Sequence, residues 1–307
     1  MILDVHSNLF KLSPLEHSYE FFPDHVHLYL KDYISFLSSL KTVNYKDLQA
    51  IEAFDRNILL CLEDYYFGQH EPAKQYFNEA IDSIHVSEAF SQLNETVFYR
   101  ARLLENSSGK RFSKEEMFHI PFEKRYLVST QRYSYPGLPC LYLGSSVDVC
   151  CLELDSKIDA ITIATIERSP EDIYNILDLG FYETYDFSDL PEEEFSRFVR
   201  LWPLVACCSF SFLNTSNMKF RPDYILPQML LEYIIDCNAT ADLGKTGRYV
   251  QGIKYLSVKK FSGRDSLLSA DDSQYYNYVF PVRSLGKTGF CKELSSTFSV
   301  KRVDCFS

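Results

Sequence analysis

The sequence predicts an α+β protein in which a small all-α unit, residues 1–90, precedes a larger mixed unit, residues 91–307. Three observations carry this. Up to about residue 90 the apolar residues recur at helical spacing. From residue 96 the texture changes to short β-branched and aromatic runs separated by Gly, Pro, Ser and Asp clusters. Helical patches then interleave with those runs.

In the first unit, Tyr29, Leu30, Tyr33, Ile34, Leu37 and Leu40 mark one helix, and Leu48, Ile51, Phe54, Ile58, Leu59 and Leu62 a second. A third begins at Pro72, because the first helical turn has no use for the N–H that proline lacks. It carries Tyr76, Phe77, Ala80, Ile81 and Ile84 on one face. Gly68 stands between the second and third helices as a C-terminal stop. In the second unit, strands are expected at 96–99, 140–143, 160–166, 173–177 and 252–256, with helices around 193–202 and 227–235. Trp202, beside Leu201, Leu204 and Val205, is expected in the core. No repeat of 20 to 50 residues is present, and no low-complexity linker separates the units.

Apolar residues make up 46% and charged residues 24% of the chain, enough for a packed core and too apolar for global disorder. The net charge of −11 argues against direct nucleic-acid binding, which needs a basic face, but leaves room for a local cationic pocket. The nine cysteines include the adjacent pairs Cys150-Cys151 and Cys207-Cys208 and no CxxC, so buried, reduced thiols in a cytoplasmic protein are expected. The N-terminus does not read as a signal peptide, and no apolar run approaches the roughly 20 residues of a membrane span, so no membrane partner is expected.

Several motifs fail on inspection. Two GKTG tetrapeptides, Gly244–Gly247 and Gly286–Gly289, invite a phosphate-loop reading, but the earlier glycine that the loop requires is Ala239 in one and Pro281 in the other. Turns are expected instead. His25 and His27 have no third ligand nearby, so no metal site is expected. There is no GxSxG elbow, and Arg56 has no histidine four to six residues downstream.

One constellation survives. Phe98-Tyr99-Arg100-Ala101-Arg102 places arginines beside an apolar run, where each must be paired or face a ligand. Arg132 precedes a Gly/Pro turn that feeds a strand carrying Tyr142, and Glu153 sits in the apolar run Cys150–Leu154. Singly, each has a bland reading: a surface ion pair for either arginine, a core tyrosine, a helix-face carboxylate. Together they suit an anionic ligand with an aromatic end. Guanidinium groups fork onto phosphates, a tyrosine ring stacks on a heteroaromatic base, and a carboxylate stabilises positive charge at an anomeric carbon.

The run Arg132-Tyr133-x-x-x-Gly137-x-Pro139-x-x-Tyr142, with Glu153 eleven residues on, resembles the RES domain, whose members include the toxins of toxin–antitoxin pairs. Tyr99-Arg100-Ala101-Arg102 is similar to its opening arginine strand. Tyr224-Ile225-Leu226-Pro227-Gln228 and Gly252-Ile253-Lys254-Tyr255-Leu256-Ser257 resemble its later helix and serine-bearing strand. The likeness runs from about residue 96 to about 282. Two departures stand out: 31 residues separate Arg100 from Arg132, implying an insertion around 110–123, and the chain carries the helical unit in addition.

The resemblance implies an ADP-ribosyltransferase-like fold and cleavage of the nicotinamide–ribose bond of NAD+, by phosphorolysis or hydrolysis. NAD+ is then a substrate, inorganic phosphate a co-substrate, and no bound prosthetic group is required. By position, Glu153 is the catalytic carboxylate, Arg132 and Arg100 (or Arg102, two residues along the same strand face) grip the diphosphate and ribose side, Tyr142 packs on nicotinamide or its ribose, and Ser257 lines the pocket. Such an enzyme endangers its host, so an antitoxin or other protein regulator is an expected partner, in a toxin–antitoxin or anti-phage setting. The helical unit is a candidate surface for it, for a homodimer or for a sensor, and its apolar faces are equally explained by packing on the second unit. Two other readings stay open: an ADP-ribosyltransferase that modifies a macromolecule, and an inactive interaction module.

Overall fold

The computed structural model describes residues 9, 21–104, 112–171, 173–180, 190–213, 218–240, 249–261, 275–284 and 286–305. The chain is α+β, with a helical N-terminal region and an eight-stranded mixed sheet. It divides into two compact units, Met1–Ala89 with Phe181–Tyr233 and Phe90–Gly180 with Ile234–Ser307.

The first unit holds α1 (Phe22–Ser38), α2 (Tyr45–Tyr66) and α3 (His70–Ser83). Its later part holds α5 (Glu192–Ser209) and the start of α6 (Ile225–Thr240). Asn44 caps α2 by accepting the Asp47 N–H at 2.9 Å. Gly68, at φ 76°, closes the turn after α2 in the left-handed conformation that glycine adopts without strain. α3 starts at His70, so Pro72 lies within its first turn. Leu30, Leu37, Ile51, Phe54, Ile58, Phe77, Ile81 and Trp202 are fully buried, and burial of each such side chain is worth about 1.5–3 kcal/mol relative to exposure. The helix expected at 193–202 continues to Ser209 through Pro203. Proline has no N–H for the carbonyl four residues back, and the Tyr33 hydroxyl donates to that carbonyl, Val199 O, at 3.0 Å instead. His27 pairs with Asp55 at 2.7 Å and His25 packs edge-on against Phe210. No group of three metal-ligating side chains occurs among the described residues.

The second unit is built on β1 (Phe90–Gln92), β2 (Val97–Leu103), β3 (Cys140–Gly144), β4 (Ile161–Arg168), β5 (Asn175–Asp178), β6 (Gly252–Leu256), β7 (Tyr276–Pro281) and β8 (Phe298–Cys305), with α4 (Val147–Leu154) and α7 (Lys292–Thr297). The strand order is β1-β5-β6-β7-β3-β2-β4-β8, antiparallel throughout except for β5 beside β6. β2 and β3 share one residue pair, Tyr99 with Gly144, whereas β2 pairs with β4 along its whole length. The sheet is therefore two half-sheets, β1-β5-β6-β7-β3 and β2-β4-β8, meeting at a narrow seam. Phe98, Tyr278, Phe280 and Phe298 interlock, with Phe98 5.0 Å from Tyr278 and Phe280 4.8 Å from Phe298. Arg168 is buried, and its guanidinium donates to the carbonyls of Leu93, Glu95 and Ser169.

Strands β3 and β6 fall where the sequence places them, and β1, β7, β8 and α4 are additional to that reading. The Gly286–Gly289 tetrapeptide is a bend: Gly289 has φ 75°, donates its N–H to Glu123 at 2.7 Å and accepts from the Phe122 N–H. Gly244–Gly247 lies outside the described residues, as do residues 105–111, which include the start of the insertion expected around 110–123. All nine cysteines are free thiols. Among the described residues no helix is long and apolar enough to cross a membrane.

Candidate functional site

Glu153 lies near the C-terminal end of α4, and local sequence explains the helix. Ser146 is its N-cap, with Oγ accepting the Val149 N–H at 3.1 Å. Asp155, in the left-handed conformation at φ 49°, ends it. Cys150, with Val147, Cys151 and Leu154 around it, packs with Ile161, Ile163, Tyr99 and Ala101. Gly144 allows the close approach, since a Cβ there would stand 2.6 Å from Val149 Cγ1 and 3.0 Å from Cys150 Sγ. With that stripe of α4 on β2 and β4, Glu153 is turned toward β6 and β7.

There one carboxylate oxygen is fully engaged. Glu153 Oε1 accepts from Ser257 Oγ at 2.6 Å and from Asn277 Nδ2 at 2.7 Å, which occupies both of its lone pairs. Oε2 has no hydrogen-bond partner among the described residues, and no Lys, Arg or His among them lies within salt-bridge distance of the carboxylate. Lys259 instead donates to the main-chain oxygen of Glu153 at 2.6 Å, a favourable position for a cation at a helix C-terminus.

Register explains how residues so far apart in sequence meet. Asn277 stands opposite Gly144 on β3 and Tyr255 on β6. The ladder continues with Ser257 N–H donating to Tyr275 O at 2.9 Å. Side chains alternate along strands, so Tyr142, Gly144, Asn277, Tyr255 and Ser257 share the side of this half-sheet that Glu153 meets. The half-buried Tyr142 donates its hydroxyl to Ser134 Oγ at 3.1 Å. Burial holds that hydroxyl well above the usual tyrosine range, so it stays neutral. Arg132 sits in the tight turn closed by main-chain bonds between Gln131 and Ser134. Tyr133 of this turn packs on Tyr255 with ring centroids 4.5 Å apart, and Ser134 is tied to Tyr142, which fixes the turn to the same side.

Arg100 and Arg102 reach the seam from the other side. They alternate with Tyr99 and Ala101, which pack beneath α4. Arg100 Nη1 donates to the Tyr142 carbonyl at 2.9 Å, at the point where β2 and β3 have parted, and its Nε is buried with no partner among the described residues. Burial, reinforced by the charge of Arg102, pushes the Arg100 pKa down to about 10, which leaves it charged at neutral pH. Arg102 donates to Glu116 O at 2.8 Å and lies 4.7 Å from the Phe112 ring centroid. Neither guanidinium has a carboxylate partner among the described residues. A desolvated Arg100 without a carboxylate partner among the described residues, in a chain of net charge −11, is an imbalance that a bound anion would relieve.

Of the residues singled out from sequence, Glu153 and Ser257 are thus in direct contact, Tyr142 and the Arg132 turn share their side, and Arg100 and Arg102 approach from behind the seam. Asn277 was not among them. Its signal in the sequence is an asparagine, a residue depleted in strands, in the otherwise aromatic and aliphatic run Tyr275–Phe280.

No protein-family model matches the chain, and no solved structure matches it. The chain is similar to a Bacillus subtilis (strain 168) protein named "Putative toxin YopC", with 29% identity over 283 residues. The match covers 86% of this chain and 60% of that longer protein.

Proposed function

We propose that this protein is a toxin-like enzyme that breaks the nicotinamide–ribose bond of NAD+ and passes the ADP-ribosyl group to phosphate or water. The observation that carries the reading is the half-engaged carboxylate of Glu153, held by Ser257 and Asn277 through Oε1 with Oε2 unoccupied and no counter-ion on either oxygen among the described residues. Nicotinamide leaves with the electron pair of the C–N bond and becomes neutral, so departure needs no proton. The barrier lies in the positive charge that builds on the ribose. A preorganised carboxylate opposes that charge most effectively where it is not already neutralised. Oε2, hydrogen-bonded to a ribose hydroxyl, fills that role. A phosphate or water oxygen then bonds to the anomeric carbon, with water losing a proton in the same step.

The neutral Tyr142 ring suits the nicotinamide end, and Arg132 suits the diphosphate. Arg100 and Arg102 add positive potential across the seam, and Arg100 also braces the strand that carries Tyr142. The resemblance to the RES domain supports this assignment, together with the ADP-ribosyltransferase-like fold it implies. The name carried by the Bacillus subtilis relative supports the toxin part of the reading, with an antitoxin or other regulator as the expected partner.

Mass spectrometry of NAD+ incubated with the purified protein, with and without phosphate, tests the proposal. The expected products are free nicotinamide and soluble ADP-ribose or its phosphate ester. Unchanged NAD+ after prolonged incubation in both buffers contradicts it. Transfer of labelled ADP-ribose onto a macromolecule contradicts the choice of acceptor and favours an ADP-ribosyltransferase.

A further inference from the structure

We infer that Asn277 is a positioning residue that locks the Glu153 carboxylate so that Oε2, and not Oε1, faces the substrate. The inference rests on the reading of Glu153 as the acting carboxylate. Glutamate has three rotatable side-chain bonds, and Glu153 sits near the end of an eight-residue helix, so its carboxylate needs an external clamp to keep one orientation. Two donors supply it, and they are not equivalent. Ser257 offers a hydroxyl, a rotor that can accept as well as donate. Asn277 Nδ2 can only donate, and the residue is anchored in a strand paired on both sides, with β3 and β6. It is 7% exposed. Its Cα therefore cannot follow a wandering carboxylate, and the 2.7 Å bond to Oε1 fixes the rotation of the carboxylate plane. With both lone pairs of Oε1 taken, Oε2 is the oxygen left for a ribose hydroxyl. A carboxylate displaced by about 1 Å can cost on the order of 10²-fold in rate.

The test separates hydrogen-bond donation from packing. Asn277→Ala is expected to lower kcat for NAD+ cleavage by about tenfold or more, with KM within about twofold because Arg132 and Tyr142 are untouched. Asn277→Asp keeps the shape but turns an oxygen toward Oε1, so it is expected to fall at least as far as Asn277→Ala. Asn277→Ser, which restores a donor, is expected to recover part of the loss. Near-wild-type kcat in Asn277→Asp overturns the inference, because shape alone then suffices. A crystal structure of Asn277→Ala supplies a readout independent of turnover: the Glu153 carboxylate is expected to rotate away from Ser257 while the α4 backbone stays in place, and an unmoved carboxylate overturns the inference. An inert wild-type protein counts against NAD+ cleavage alone, whereas that unmoved carboxylate counts against the role of Asn277 alone.

Discussion

Each unit of this protein holds one carboxylate between a serine hydroxyl and an asparagine amide, and the two are finished differently. In the helical unit, Asp47 accepts from Ser196 Oγ at both oxygens, from Asn44 Nδ2 at Oδ2 and from Arg200 Nη1 at Oδ1, all at 2.7–2.8 Å. Arg200 also bonds Glu88. Every acceptor of Asp47 is used, its charge is neutralised, and its side chain is 4% exposed. Glu153 has the same two kinds of neutral donor on one oxygen and, among the described residues, no cation and no partner for the second oxygen. A buried carboxylate completed by a guanidinium ties elements together. The Glu153 carboxylate, only partly buried, is held on one oxygen by neutral donors alone.

Substitutions can break this contrast. The largest effect is expected at Asp47→Ala, which leaves the Arg200 guanidinium with Glu88 alone and removes the acceptor of Ser196 and Asn44. Loss of a largely buried ion-pair partner with its hydrogen bonds costs about 2 kcal/mol, read as a fall in unfolding free energy in urea, with NAD+ turnover per folded molecule unchanged. Next is Glu153→Gln, which keeps the volume and the acceptor for Ser257 and Asn277 but removes the charge. It is expected to lower turnover by at least about 10²-fold and to leave the urea midpoint nearly unchanged. If the two substitutions exchange readouts, so that Glu153→Gln unfolds the protein and Asp47→Ala silences it, the contrast is wrong.

A smaller effect is expected at Gly144→Ala, where the new Cβ meets Val149 and Cys150 and pushes α4 from the sheet. The cost is about 1–3 kcal/mol, and because Glu153 rides on α4, turnover should fall as well. The smallest is at Lys74→Ala. Lys74 pairs with Glu232 at 2.8 Å on the surface, and loss of such a pair is worth about 0.5 kcal/mol or less, so the melting temperature should barely move.

Much of the fold was legible wherever one local pattern dominated. The apolar stripes of α1, α2 and α3, the stop at Gly68, and the short apolar and aromatic runs of β3 and β6 all follow from local pattern. Elements that depend on distant partners were not. β8 carries Lys301, Arg302 and Asp304 because it lies at the sheet edge, where charge guards against pairing with other chains, and it therefore does not read as a strand. The sequence places a helix around 193–202, and its continuation through Pro203 to Ser209 depends on the distant Tyr33, whose hydroxyl donates to the Val199 carbonyl. Periodicity identifies the buried face of α5 but not what covers it, so the clustering of residues 181–233 with 1–89 could not be foreseen. At the site, Glu153 and Ser257 were visible as members of a spaced pattern. Asn277 was not, because its meaning comes from a register that brings it within 2.7 Å of a side chain 124 residues away.

Everything proposed for Glu153 requires a ribose hydroxyl to meet it in preference to any other carboxylate. The crystal structure of the Glu153→Gln variant soaked with NAD+ measures that directly. The nicotinamide ribose is expected within hydrogen-bond distance of residue 153, on the oxygen or nitrogen not held by Ser257 and Asn277, with the nicotinamide ring beside Tyr142 and the diphosphate toward Arg132. A dinucleotide bound elsewhere on the molecule, with residue 153 still facing only Ser257 and Asn277, would contradict it.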